Sequence, residues 1–373
     1  MQKRILSIEL LRVLCSFFVV LIHIFMWFRM PDGIIAIDTL FMESFTRCCV
    51  PIFFMITGFF AFRSQKQTHE ILKNVFSSII IPIIVTLLLI QIFDNFIENR
   101  ATFIDCIVHF SIDWRDLMSH LVKFSAGAKN SFYLWYVFTL LRFYIWFPLL
   151  RYICVIKKEE NIIRWVIMAL AFILYIILPT ICTIIPDFKG VIVVPSVLPS
   201  EYFLYILIGY EFSVFQFQHP HFFKKKITAF FAFFLYFGSS IISFLLAYYF
   251  GVLANITYFE HFYEYCMLPV FLQAIGFFTL FLCIDHLMNF SEKINSLIEY
   301  LGRRTFFVYL FHFPFIKSYL EAGIINDMFM SLGLPGLLLF GVYTLLFSLL
   351  VSIAVDFTIK KIKVLLLKNK TNH

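Results

Sequence analysis

A chain of 373 residues that is 61% hydrophobic and only 14% charged, with a mean hydropathy of +0.90, is far more apolar than a soluble domain, where about 45–50% of residues are apolar. At about 20 residues per helical crossing, about ten spans leave no room for a sizeable soluble domain, so one membrane domain over 1–373 is expected. The net charge of +7 does not point to nucleic acid, because the basic residues fall in short clusters between apolar runs, where they set topology.

Apolar runs of spanning length lie near 5–28, 45–62, 75–94, 132–153, 162–185, 200–217, 227–250, 265–284, 304–320 and 334–359. The first follows Lys3 and Arg4 as a signal peptide would, but it extends to about Phe28 without a small-residue cleavage site, so it is expected to be retained. An even number of spans puts both termini on one side. With the N-terminus inside, twenty Lys and Arg fall in inner segments and eight in outer ones, with Arg12 and Arg142 inside spans. That asymmetry places both termini in the cytoplasm. The expected fold is therefore all-α, a bundle of about ten transmembrane helices embedded in the lipid bilayer.

The longest connection, about 95–131, falls on the outer side and carries Asp105, Asp113, Trp114, Arg115 and Asp116. An interfacial helix, a lid and a plain surface excursion are the open readings. The basic tail at 360–373 reads as a cytoplasmic topology anchor rather than a lipid-recognition site. Eight cysteines show no C-x-x-C spacing, and most lie in apolar runs as small buried hydrophobes. The adjacent Cys48 and Cys49 make a poor metal site without other ligands, so no metal and no bound cofactor are expected. The 52 Phe suit packing and name no ligand.

Ionisable groups within spans are costly and are functional candidates by default. The first span, IELLRVLCSFFVVLIHI, holds Glu9, Arg12, Ser16 and His23. At roughly 100° per residue, Ser16 lies about 40° and His23 about 20° around the axis from Arg12. Glu9, three residues before Arg12, is placed to pair with it. His23 lies about 16 Å farther toward the outer side. The stripe either lines a path, or Glu9 and Arg12 lock helix packing while His23 bonds a neighbouring carbonyl.

This first span resembles that of the membrane-bound acyltransferase 3 family, in which acidic-x-x-Arg is followed by ten residues and then His. Glu9 stands where the family more often has Asp. Three further segments match in order: TRCCVPIFFMITGFF at 46–60, SFYLWYVFTLL at 131–141 and LGRRTFFVYLFHFPF at 301–315. The Arg-x-x-Val-Pro segment is most similar to the subgroup that decorates or exports surface polysaccharides, including enterobacterial common antigen acetyltransferases and poly-N-acetylglucosamine export proteins.

The resemblance implies transfer of a small acyl group, acetyl first and succinyl next, from acyl-coenzyme A as co-substrate to a hydroxyl of a surface polysaccharide or lipid-linked sugar, in a bacterial cytoplasmic membrane. It implies catalytic roles for His23, Arg12 and Glu9. Arg47 holds a carbonyl, a phosphate or an acceptor sugar, or else snorkels to the outer interface. Arg142, deep in the fourth span, needs a partner, with Glu201 or Glu211 as candidates. Tyr133 and Trp135 read first as an aromatic belt and second as a sugar-stacking surface. His312, with Tyr309 one turn before it, is a packing group or part of the substrate site, and the family's Tyr-Leu-x-His favours the site. A polysaccharide exporter without chemistry is the competing class, and the oligomeric state is left open.

Overall fold

The computed structural model describes residues 5–28, 36–99, 113–115, 118–119, 131–152, 161–185, 201–253, 259–287 and 290–371. Among them every regular element is helical. In chain order the α-helices are α1 (Leu6–Phe25), α2 (Ile37–Thr46), α3 (Cys49–Ala61), α4 (Thr68–Val75), α5 (Ile81–Asn99), α6 (Trp135–Arg151), α7 (Asn161–Phe172) and α8 (Leu178–Ile184). They continue with α9 (Phe203–Gln218), α10 (Lys226–Tyr248), α11 (Leu268–Leu287), α12 (Glu292–Gly302), α13 (Thr305–Glu321), α14 (Ile324–Leu332) and α15 (Leu334–Thr371). π-Turns at Phe76–Ile80 and Ile173–Ile177 join α4 to α5 and α7 to α8 without breaking the rod.

Eight stretches among the described residues are long and apolar enough to cross a membrane: Leu6–Phe25, Ile37–Ala61, Thr68–Gln91, Phe132–Arg151, Ile162–Ile184, Lys226–Leu253, His261–Leu287 and Leu334–Val355. The chain is an all-α, multi-pass membrane protein. The two other expected spans, 200–217 and 304–320, are the 16-residue α9 and the 17-residue α13. At 1.5 Å per residue each is a little shorter than the hydrocarbon core it would have to cross.

The second span differs most from expectation. The apolar run at 45–62 suggests a start near Arg47, yet the helical stretch begins at Ile37, which places Arg47 at the junction of α2 and α3, inside the span. Glu43 and Arg47 interrupt the hydropathy pattern but pair with each other across one helical turn, and the pairing lets the span run through them. Of the long connection at 95–131 only 95–99, 113–115, 118–119 and 131 are described. There the side-chain amide of Gln91 donates to Asp113 O at 3.2 Å and its oxygen accepts from Asp113 N at 3.2 Å. The tail at 360–371 continues α15 as helix.

The chain separates into two compact units, one formed by Met1–Ile24 with Phe290–His373 and the other by Phe25–Asn289. In the first, Gly341 of α15 abuts Leu21 and Phe17 of α1, and Phe315 of α13 stacks on Phe347 of α15 at 4.1 Å. Gly323 (φ +77°) and Gly333 (φ +62°) bracket α14 in the left-handed region, where a Cβ costs roughly 1–2 kcal/mol. Gly323→Ala is therefore expected to lower stability by about 1 kcal/mol, read as a drop in the thermal midpoint of the detergent-purified protein.

In the second unit, α3 and α9 meet backbone to backbone. A Cβ on Gly58 would overlap the Ile206 carbonyl, and one on Gly209 would overlap the Met55 carbonyl, so each helix needs its glycine for the approach. Between α10 and α11, Gly276 packs on the Ala232 and Tyr236 backbones. The fully buried Gln273 donates to Ser44 O at 2.8 Å and to Ser240 Oγ at 2.5 Å, tying α11 to α2 and α10 by polar contacts that water cannot replace in lipid.

Candidate active site

In the first unit, α1 and α13 bring two of the singled-out histidines together. The rings of His23 and His312 are 5.0 Å apart, centroid to centroid. Phe313 meets His23 edge-on at 5.5 Å, and Tyr309 lies 5.9 Å from His312. His312 is fully buried, and its Nδ1 lies 2.7 Å from Tyr309 O and 3.2 Å from Val308 O. A carbonyl oxygen only accepts, so Nδ1 is assigned the proton. In the neutral ring Nε2 then offers a lone pair, and the ring is held in one orientation by its own helix backbone.

Toward the other end of α1, Arg12 Nη1 lies 3.3 Å from Glu9 Oε1. Glu9 is 3% exposed, and its second oxygen, Oε2, has no hydrogen-bond partner among the described residues. That oxygen rests against Gly302, the last residue of α12, where a Cβ would collide with it. The LGRR segment thus seats the carboxylate, and Arg304 beside it is held by its guanidinium over the Tyr300 ring at 3.7 Å. Two segments some 290 positions apart in the sequence meet at both ends of α1, and only the fold makes this visible.

The second unit holds a separate polar cluster. Arg47, 8% exposed, forms an ion pair with the fully buried Glu43. Its guanidinium carbon stands 4.4 Å from the Tyr263 ring centre and 5.7 Å from that of Tyr265. The Tyr263 hydroxyl donates to Glu43 Oε2 at 3.4 Å. Tyr205 Oη donates to Tyr265 O at 2.5 Å and so fixes the Tyr265 backbone. Trp135 stacks on Tyr265 at 5.6 Å and packs on Tyr202 at 5.2 Å. It therefore joins the Arg47 cluster through a shared ring. Tyr133 is fully buried, which corrects its reading as part of a lipid-facing belt.

Arg142 is exposed on α6 and Glu201 is exposed as well. The other acidic residue considered for Arg142, Glu211, pairs with Arg164, whose Nε lies 2.5 Å from its Oε1. Arg164 also sits 5.3 Å from the Tyr210 ring. In the sequence Arg164 counts as one more inner topological charge, whereas in the fold it is a buried ion-paired residue joining α7 to α9. Glu43 was open to the same inspection, since an acidic residue four positions before Arg47 is a helical ion-pair signal. Tyr263, Tyr265 and Gly302 carry no local signal.

No curated protein and no solved structure matches the chain. A family model described as an acyltransferase domain, that of acyltransferase 3, matches residues 5–353, a range that contains His23 and His312, the ion pairs of Arg12, Arg47 and Arg164, and the glycine under Glu9. The chain belongs to the acyltransferase 3 family, and is a membrane acyltransferase.

Proposed function

We propose that this protein is a membrane O-acyltransferase that moves an acyl group, acetyl in the first instance and succinyl in the second, from acyl-coenzyme A to a hydroxyl of a surface polysaccharide or lipid-linked sugar. The proposed setting is a bacterial cytoplasmic membrane, with both termini cytoplasmic as the distribution of basic residues supports. The observation that carries this reading is the pairing of His23 with His312 at 5.0 Å, which joins two segments singled out by the family resemblance. A sugar hydroxyl is a weak nucleophile at neutral pH, and a positioned imidazole that takes its proton during attack contributes about 10²–10⁴-fold.

His23 is the base in this scheme. The hydroxyl oxygen adds to the thioester carbonyl carbon as its proton passes to His23. The carbon–sulfur bond then breaks, and the coenzyme A thiolate leaves and recovers a proton from the imidazolium. His312, fixed by Tyr309 O and Val308 O, positions His23 and excludes water beside it. Arg12, nearer the cytoplasmic end, holds an anionic part of the donor, and Glu9 holds Arg12. Because a Cβ on Gly302 displaces the Glu9 carboxylate, Gly302→Ala is expected to raise the KM for acyl-coenzyme A several-fold with kcat much less affected, as steady-state kinetics in detergent would read.

The test compares glycan acylation with glycan export in cells carrying the protein, its His23→Ala variant or neither. Loss of the ester with export preserved is the expected result for the variant. Loss of export with ester content per chain unchanged would assign the protein to the exporter class instead.

A further inference from the structure

The guanidinium of Arg47 is usually the kind of group that recruits phosphate, since it carries five donors in a planar fork. Its surroundings here argue for a different ligand. Its charge is already matched by Glu43, a carboxylate with no solvent exposure, in a direct ion pair. The carboxylate is held from its other side by the Tyr263 hydroxyl at 3.4 Å, and the cation is flanked by the rings of Tyr263 and Tyr265. The cluster lies inside the Ile37–Ala61 span. A phosphate or carboxylate entering it would add an uncompensated negative charge to a buried site lined by aromatic rings, where an unpaired ion is strongly disfavoured.

One donor is nevertheless left over. Arg47 Nε is buried and makes no hydrogen bond among the described residues. A buried donor without an acceptor is costly, so Nε retains a preference for an oxygen atom that brings no charge, while the rest of the guanidinium is held by Glu43 and Tyr265. We propose that Arg47 binds an uncharged oxygen acceptor of the substrate, a hydroxyl or a carbonyl, and that Glu43 is the specificity-determining residue that keeps anions out. Two sources carry such an oxygen in the reaction proposed above, on which this inference rests: the acyl or amide carbonyl of the donor, and a hydroxyl or amide of the acceptor sugar.

The test uses the full-length, detergent-purified protein, its Glu43→Gln variant and the Glu43→Gln/Arg47→Gln double variant. The double variant removes both charges at once and leaves no ion buried alone, the replacement that buried pairs tolerate best. Radiolabelled inorganic phosphate is titrated against each. Wild type and double variant are expected to bind phosphate equally weakly, while Glu43→Gln, with its cation uncompensated, binds it at least tenfold more tightly. Phosphate binding by the wild type well above that of the double variant overturns the proposal, and so does a folded Glu43→Gln protein that gains none.

Should Glu43→Gln fail to fold, the comparison of wild type with double variant decides alone. Titration with chitopentaose and with acetyl-coenzyme A identifies the source, as the ligand whose binding weakens at least tenfold in the double variant. If neither weakens, the proposal is wrong. Absence of acyl transfer by the wild type would defeat the functional reading and leave these binding results standing.

Discussion

His23→Ala is expected to lower kcat for acyl transfer by about 10²–10⁴-fold, the range for a lost general base, while the protein inserts and purifies as before. The side chain is half-buried and touches His312 and Phe313, so its removal leaves no buried charge behind. The informative comparison is His312→Gln. In the proposed scheme that side chain contributes position rather than proton transfer, so a smaller fall in kcat is expected, with the pH dependence of the rate shifted because His23 would keep its role in a changed environment. The measurement is the pH profile of kcat for both variants with acetyl-coenzyme A. Equal, pH-independent losses in the two would indicate that both histidines only pack.

The largest effect on stability is expected at the crossing of α3 and α9. Gly58→Val places a branched side chain where the Ile206 carbonyl already stands, and Gly209 makes the reciprocal contact on Met55. Neither neighbour is a flexible side-chain end that can swing away. The helices must separate, which exposes the packing around Phe54, Phe59 and Tyr205 and exceeds the usual overpacking cost of about 1–3 kcal/mol. Little or no monodisperse protein is expected by size-exclusion chromatography. Gly238→Ala provides the control, because nothing lies within 4 Å of the added methyl. There alanine's better helix propensity, worth up to about 1 kcal/mol, predicts an unchanged or slightly raised thermal midpoint.

Hydropathy made most of the architecture legible. Long apolar runs have few alternatives to helix in lipid, since every backbone donor must be satisfied within the segment, and all eight spanning stretches fall on expected runs. The run at 45–62 failed at its start because hydropathy scores Glu43 and Arg47 as two separate costs, whereas the fold makes them a pair. The same blindness applies to the buried Arg164, whose partner Glu211 lies 47 positions later.

Periodicity placed Glu9, Arg12 and His23 on one helix, and the motifs flagged His312, but neither tells which helices are neighbours. That His23 meets His312 and that Glu9 rests on Gly302 are consequences of packing. Tyr263 and Tyr265 at Arg47 are a sharper case, being aromatic residues among 18 Tyr with nothing in their spacing to single them out. The belt reading of Tyr133 failed for a related reason, since an aromatic residue at a span end turns inward when a neighbouring helix offers a place for it.

In the proposed reaction this membrane protein forms an ester bond between a coenzyme A-borne acyl group and a glycan hydroxyl. The direct measurement incubates the purified protein in lipid vesicles with acetyl-coenzyme A radiolabelled in the acetyl group and glycan extracted from producing cells, and follows the label. Base-labile label on the glycan is expected with wild-type protein, formed at least about a hundredfold more slowly with His23→Ala. Label that remains on coenzyme A while the glycan crosses the vesicle membrane would contradict the proposed reaction.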